Sequence, residues 1–94
     1  MATGKSFGLK VGDLVYTGAF PAVIISNVGT STPCCEVFGF EQECGSSYAH
    51  DLKKITVAEF VDLTSRMGHT EPFRVYGKAT LSALLAAGLK AEMA

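Results

Sequence analysis

Two periodicities divide the chain. In the first half, apolar residues come in short runs broken by glycine and small polar residues, the pattern of strands and turns. Residues 9–17 read as a first strand, with a turn or bulge at Gly12-Asp13. Residues 22–28 form the strongest strand signal. The β-branched run is apolar on both faces, which suits a central strand covered on each side. After a polar turn at 29–33, residues 35–40 read as a third strand. Glu36, Phe38 and Phe40 share one face of it, Cys35 and Val37 take the other, and Gly39 marks a bulge or bend. Residues 41–45 connect it as a hairpin to a fourth strand over 46–50, and a tight helical turn within 51–55 leads to a last short strand.

From Thr56 the spacing becomes helical. Thr56 and Glu59 form a capping box, and Val57, Phe60, Val61, Thr64 and Met67 fall on one face of a helix over 57–67 that Gly68 stops. Pro72 begins a short extended piece over 73–76. A second helix over 79–87 turns Leu81, Leu84 and Leu85 inward, with Gly88 as its left-handed cap and Leu89 as its hydrophobic clip. The expected architecture is α+β: a strand-rich half over 9–55 and a helical half over 56–94, one domain over 9–94, preceded by a flexible tail over 1–8.

Composition sharpens this picture. Of 94 residues 48% are hydrophobic and only 18% charged, which excludes a disordered chain and leaves few charges to cover the surface. A self-associating subunit, a homodimer or larger, is the expectation. The net charge is -1, and residues 19–51 contain no Lys or Arg, so no nucleic-acid partner is expected. Four acids lie between Glu36 and Asp51, whereas six bases face four acids from Leu52 onward. No apolar stretch approaches the ~20 residues of a membrane span, and the first residues lack the apolar core of a secretory signal. A cytoplasmic protein with no membrane contact is expected.

Candidate chemistry is sparse. Cys34, Cys35, Cys44 and His50 are the soft-ligand residues, but their spacing fits no zinc site, and adjacent strand residues point to opposite faces. No metal and no cofactor is expected. Tyr48, His50 and Asp51 form a tight titratable cluster in which His50 beside a carboxylate could act as a general base; Asp51 also suits a turn cap. His69 suits the C-terminal end of the first helix. Phe20, Phe38, Phe40, Tyr48, Phe73 and Tyr76 exceed what a small barrel can bury. The expected binding residues are therefore Phe38, Phe40, Tyr48 and His50, lining an aromatic groove or a subunit face for a second copy, a small molecule or another protein.

Several short strands closed by a tight helical turn, with Gly12-Asp13-Leu14-Val15 near the start and Leu52-Lys53-Lys54-Ile55 at the end, resemble an SH3-like barrel. This resemblance implies that the strand half over 9–55 is a small antiparallel β-barrel, which the two C-terminal helices then follow. The same opening, and the run from Gly45 to Ile55, resemble the type II dihydrofolate reductases carried on mobile gene cassettes. That family's Val-Gln-Ile-Tyr motif is matched here only at Tyr48, with Ser46 and Ser47 in place of its pore residues, so the likeness implies an oligomerising barrel without reductase activity. Phe20-Pro21-Ala22-Val23-Ile24-Ile25-Ser26-Asn27 resembles an early stretch of MazF-like ribonuclease toxins, but Phe20 replaces the family's arginine. The expected function is a binding or assembly module. The alternative is a small enzyme, either a MazF-like ribonuclease or a hydrolase built on Tyr48, His50 and Asp51.

Overall fold

The structure is a computed structural model and describes residues 8–27, 34–40 and 42–94. The expected turn at 29–33, and all but the last residue of the expected tail, lie outside the described residues. Five strands, β1 (Leu14–Tyr16), β2 (Pro21–Asn27), β3 (Cys34–Gly39), β4 (Gln42–Tyr48) and β5 (Lys53–Lys54), form one antiparallel sheet in the order β4-β3-β2-β1-β5. The sheet curls into a half-barrel. Two helices, α1 (Val57–Arg66) and α2 (Lys78–Ala86), follow. A second sheet of two parallel strands, β6 (Phe73–Val75) and β7 (Ala91–Met93), flanks α2 in sequence.

The first strand is shorter than its hydrophobic pattern suggests. Gly12 takes a φ of 94°, and the Lys10 N–H donates to Asp13 Oδ2 while the Asp13 N–H donates to the Lys10 carbonyl, closing a turn before Leu14. Leu9, ahead of this turn, is nevertheless buried. The helical turn also begins earlier than expected. Ala49–Asp51 form a 3-10 turn, so His50 lies in the turn and not in a strand, and β4 reaches back to Gln42.

The apolar strand β2 has a core on each side. Alternation sends Val23 to one face, in register with Leu14 of β1 and Phe38 of β3. There these three pack with Phe60 of α1, Phe73 and Val75 of β6, Ala83 and Leu84 of α2, and Leu89. Ala22 and Ile24 face the other way, onto Leu9, Val15, Cys35, Val37 and Ala49. That second cluster is built from strands, turn and loop alone, so the helices cover only the first face. Burial of each large apolar side chain stabilises the fold by about 1.5–3 kcal/mol.

Both helix ends match their sequence signals. The Thr56 Oγ1 accepts from the Glu59 N–H and Glu59 Oε1 accepts from the Thr56 N–H, completing the capping box. At the C-terminus of α1 the His69 N–H reaches the Thr64 carbonyl, and at that of α2 the Leu89 N–H reaches the Leu84 carbonyl. Gly68 and Gly88 take φ of 91° and 93° at the turning points, a Schellman arrangement in each case. The inward face of α2 differs from the expectation in one place: Leu84 is buried, but Leu85 is 50% exposed, and Ala83 and Thr80 face the core instead. The strand β7 has no sequence signal of its own. Pairing with β6 creates it, through bonds from the Phe73 N–H to the Lys90 carbonyl and from the Ala94 N–H to the Val75 carbonyl. Among the described residues no helix is long and apolar enough to cross a membrane.

Candidate functional site

Phe40 leaves the end of β3 just before the hairpin turns toward β4. Its ring meets Phe38 edge-on at 5.1 Å and lies tilted against Phe73 at 5.2 Å. His69 is the second residue beyond Met67, the C-cap of α1, where a Schellman turn commonly places a hydrophobic contact. The imidazole takes that place by stacking on Phe40, with ring centroids 4.6 Å apart and planes 18° apart.

The strand β6 supplies the next wall. Phe73 and Val75 point into the core, so alternation turns Arg74 outward. Tyr76 and Gly77 then link β6 to α2, and Tyr76 is 79% exposed. Together Phe38, Phe40, His69, Arg74, Val75, Tyr76, Gly77 and Thr80 enclose a pocket of about 260 Å³. A shallower depression lies on the other side of Phe40, His69 and Arg74, against Thr70 and Pro72. The pocket has an aromatic floor, an imidazole and one guanidinium on its rim, and a helix N-terminus at one end. Arg74 Nη2 lies 3.4 Å from Glu92 Oε2 across the β6–β7 pair, an exposed contact of a kind worth only about 0–1 kcal/mol and so readily exchanged for a ligand.

The structure separates the four binding residues expected from sequence. Phe38 is buried beneath the pocket and Phe40 half-buried in its wall. Tyr48 pairs in register with Cys34, at the opposite end of β3 from Phe38 and so about 13 Å away along the strand. There Tyr48 is exposed and stacks on His50 at 5.4 Å, and His50 Nε2 is 3.5 Å from Asp51 Oδ1. This second cluster is open to water and contributes nothing to either pocket around Phe40.

A broader groove of about 390 Å³ runs between the Lys10–Leu14 turn, residues 54–57 and the end of α2. Its cations, Lys10 and Lys54, both pair with Asp13. Among the described residues no three His, Cys, Asp or Glu side chains converge as a metal site would require. Cys35 is buried, and its burial, with the Cys34 thiol beside it, pushes its pKa above the ordinary thiol value.

His69, Arg74, Tyr76 and Thr80 were not expected to share a site with Phe40. The outward position of Arg74 follows from β6 alternation and could be read from sequence. The convergence of three segments on Phe40 could not. No family model matches the chain, and no curated protein and no solved structure matches it.

Proposed function

We propose that the chain is a small binding module built on an SH3-like barrel, with the Phe40–His69–Arg74–Tyr76 pocket as its ligand site. The barrel reading is supported by the strand order with β1 between β2 and β5, and by the 3-10 turn that leads into β5. The observation that carries the binding reading is a concave pocket with Phe38, Phe40 and Tyr76 in its lining and a few polar groups on its rim, the usual make-up of a small-molecule site. Chemical-shift mapping with a diverse set of small fragments tests it. Ligands should move the backbone amides of Phe40, His69, Arg74 and Tyr76 together. A library whose hits all fall elsewhere, or that yields no hits, refutes this reading.

Self-association is a second reading, favoured by the outer edge of β4. This seven-residue strand pairs only with β3 among the described residues, and such an edge is a template for a second copy. Light scattering after size exclusion should then give a dimer or larger species at micromolar concentration. A strict monomer rules it out.

A further inference from the structure

Two threonines are buried among the described residues, and they are treated differently. Thr64 lies within α1, and its hydroxyl donates back to the Phe60 carbonyl at 2.9 Å. Thr80, the third residue of α2, is only 4% exposed, yet among the described residues no hydrogen bond joins its hydroxyl to any group. Thr80 lines the pocket together with Arg74 and Tyr76. Its hydroxyl oxygen lies at the mouth of the helix, 3.6 Å from where a side chain on Gly77 would begin.

The helix end beside it is equally unfilled. The first-turn amides of any α-helix have no acceptor within the helix, and the partial positive charge there favours an anion. In α2 the N-cap is Gly77, which has no side chain to accept from those amides, and the first turn holds no acid. Lys78 at the first helical position adds charge of the same sign. Arg74 and His69 complete a rim rich in donors, and among the described residues no carboxylate lines the pocket.

We propose that this pocket binds a small oxyanion carried on a flat ring, an aromatic carboxylate or aryl phosphate. The proposal rests on the binding reading above and narrows it to a ligand class. The anionic head meets the amides at the start of α2, the Thr80 hydroxyl and the Arg74 guanidinium, combining charge-assisted hydrogen bonds with the helix field. The ring packs against Phe40 and Tyr76. A volume of about 260 Å³ admits one ring with its charged substituent and excludes a dinucleotide.

Titrations of the whole chain with benzoate, phenyl phosphate, inorganic phosphate and uncharged benzamide, read by amide shifts, test the ligand class. Benzoate or phenyl phosphate should bind at least about tenfold more tightly than benzamide, and which of the two binds better tells carboxylate from phosphate recognition. Inorganic phosphate, lacking the ring, should bind more weakly than phenyl phosphate. Four variants place the anion. Gly77→Asp supplies an internal N-cap carboxylate at an extended backbone position (φ -96°, ψ 140°), so it should raise thermal stability while abolishing anion binding. Thr80→Val and Arg74→Gln should each weaken binding about fivefold or more. Glu92→Gln should strengthen it, because Glu92 competes with the ligand for Arg74.

Benzamide binding as tightly as benzoate, or a folded Gly77→Asp variant that binds the anions unchanged, overturns the proposal and leaves the broader binding reading standing. Silence of every anion up to about 10 mM also overturns it, and hits among uncharged fragments at the same amides then show that only the ligand class was wrong.

Discussion

Replacing Gly39 by alanine tests the packing of the end of β3 against Phe20. Gly39 is buried in β3, and a Cβ there would stand 2.4 Å from Phe20 Cε1, 2.5 Å from Phe20 Cδ1 and 3.2 Å from the Pro21 carbonyl oxygen. Ordinary contact begins near 3.4 Å, so the Phe20 ring must withdraw by about 1 Å. That ring is packed against the inner core of the half-barrel, with Leu9, Val15 and Val37 among its members, and has little freedom to move. Overpacking of this kind costs about 1–3 kcal/mol. Restricting the unfolded chain returns about 0.4–1 kcal/mol, which leaves a net loss of about 1–2 kcal/mol. For a domain of this size each kcal/mol lowers Tm by about 4–8 °C. Urea and thermal unfolding followed by circular dichroism measure the effect, and the decisive comparison is the same substitution in a Phe20→Ala background. With the ring gone, Gly39→Ala should cost less than about 0.5 kcal/mol. An equal cost in both backgrounds, or no cost in the parent, refutes the contact between ring and backbone.

Thr56→Ala removes the capping box of α1 and should cost about 1 kcal/mol in urea unfolding, whereas Thr56→Ser should be nearly neutral; equal Tm values for Ala, Ser and parent would deny the cap a role. Leu84→Ala should cost about 2–5 kcal/mol and Leu85→Ala less than about 0.5 kcal/mol, because only Leu84 faces the core; the reverse order would mean that α2 docks by its other face. Cys35 favours its protonated form in the fold, since burial raises its pKa. Its contribution to stability is therefore complete below the ordinary thiol pKa of about 8.5 and lost as pH rises through the raised value. Unfolding midpoints measured from pH 7 to 10 should fall above that point, and Cys35→Ala should flatten the fall; a slope that survives the substitution would place its origin elsewhere.

Local signals in the sequence proved the most legible. Thr56, Glu59, Gly68 and Gly88 mark helix ends through backbone rules that operate within four or five residues, and the structure shows each one in use. The two-sided apolar run of β2 announces a covered central strand because its side-chain period is fixed at two. What escaped depends on distant pairing. Ala91-Glu92-Met93 has no strand pattern and becomes β7 only because β6 offers its edge. Leu85 belongs with Leu81 and Leu84 by spacing, but where α2 docks on the sheet decides which side of that stripe is covered. The candidate site divides in the same way. Phe38 and Phe40 stood out as aromatics on one strand, whereas His69, Arg74 and Thr80 join them through three separate docking contacts that no local rule encodes.

The low charge of the chain first suggests a subunit that hides apolar surface in a partner. Among the described residues the fold buries two apolar clusters internally, one inside the curled sheet and another beneath the helices. Phe38, which a lone barrel would expose, is covered by β6 and by both helices. The proposal of self-association therefore moves from the Phe38–Phe40 face to the outer edge of β4, which among the described residues has no strand partner, a matter of backbone more than of apolar area. The same docking creates the pocket. Its floor comes from β3, one wall from the end of α1 and the rest from β6 and the start of α2, so the pocket exists only while the helical half sits on the sheet. A ligand held there binds the docked state alone and stabilises it in proportion to RT ln(1 + [L]/Kd). Binding at the proposed site would therefore be coupled to the packing of the two halves against each other, and Phe40, touched by Phe38, His69 and Phe73 together, is the residue that both would share.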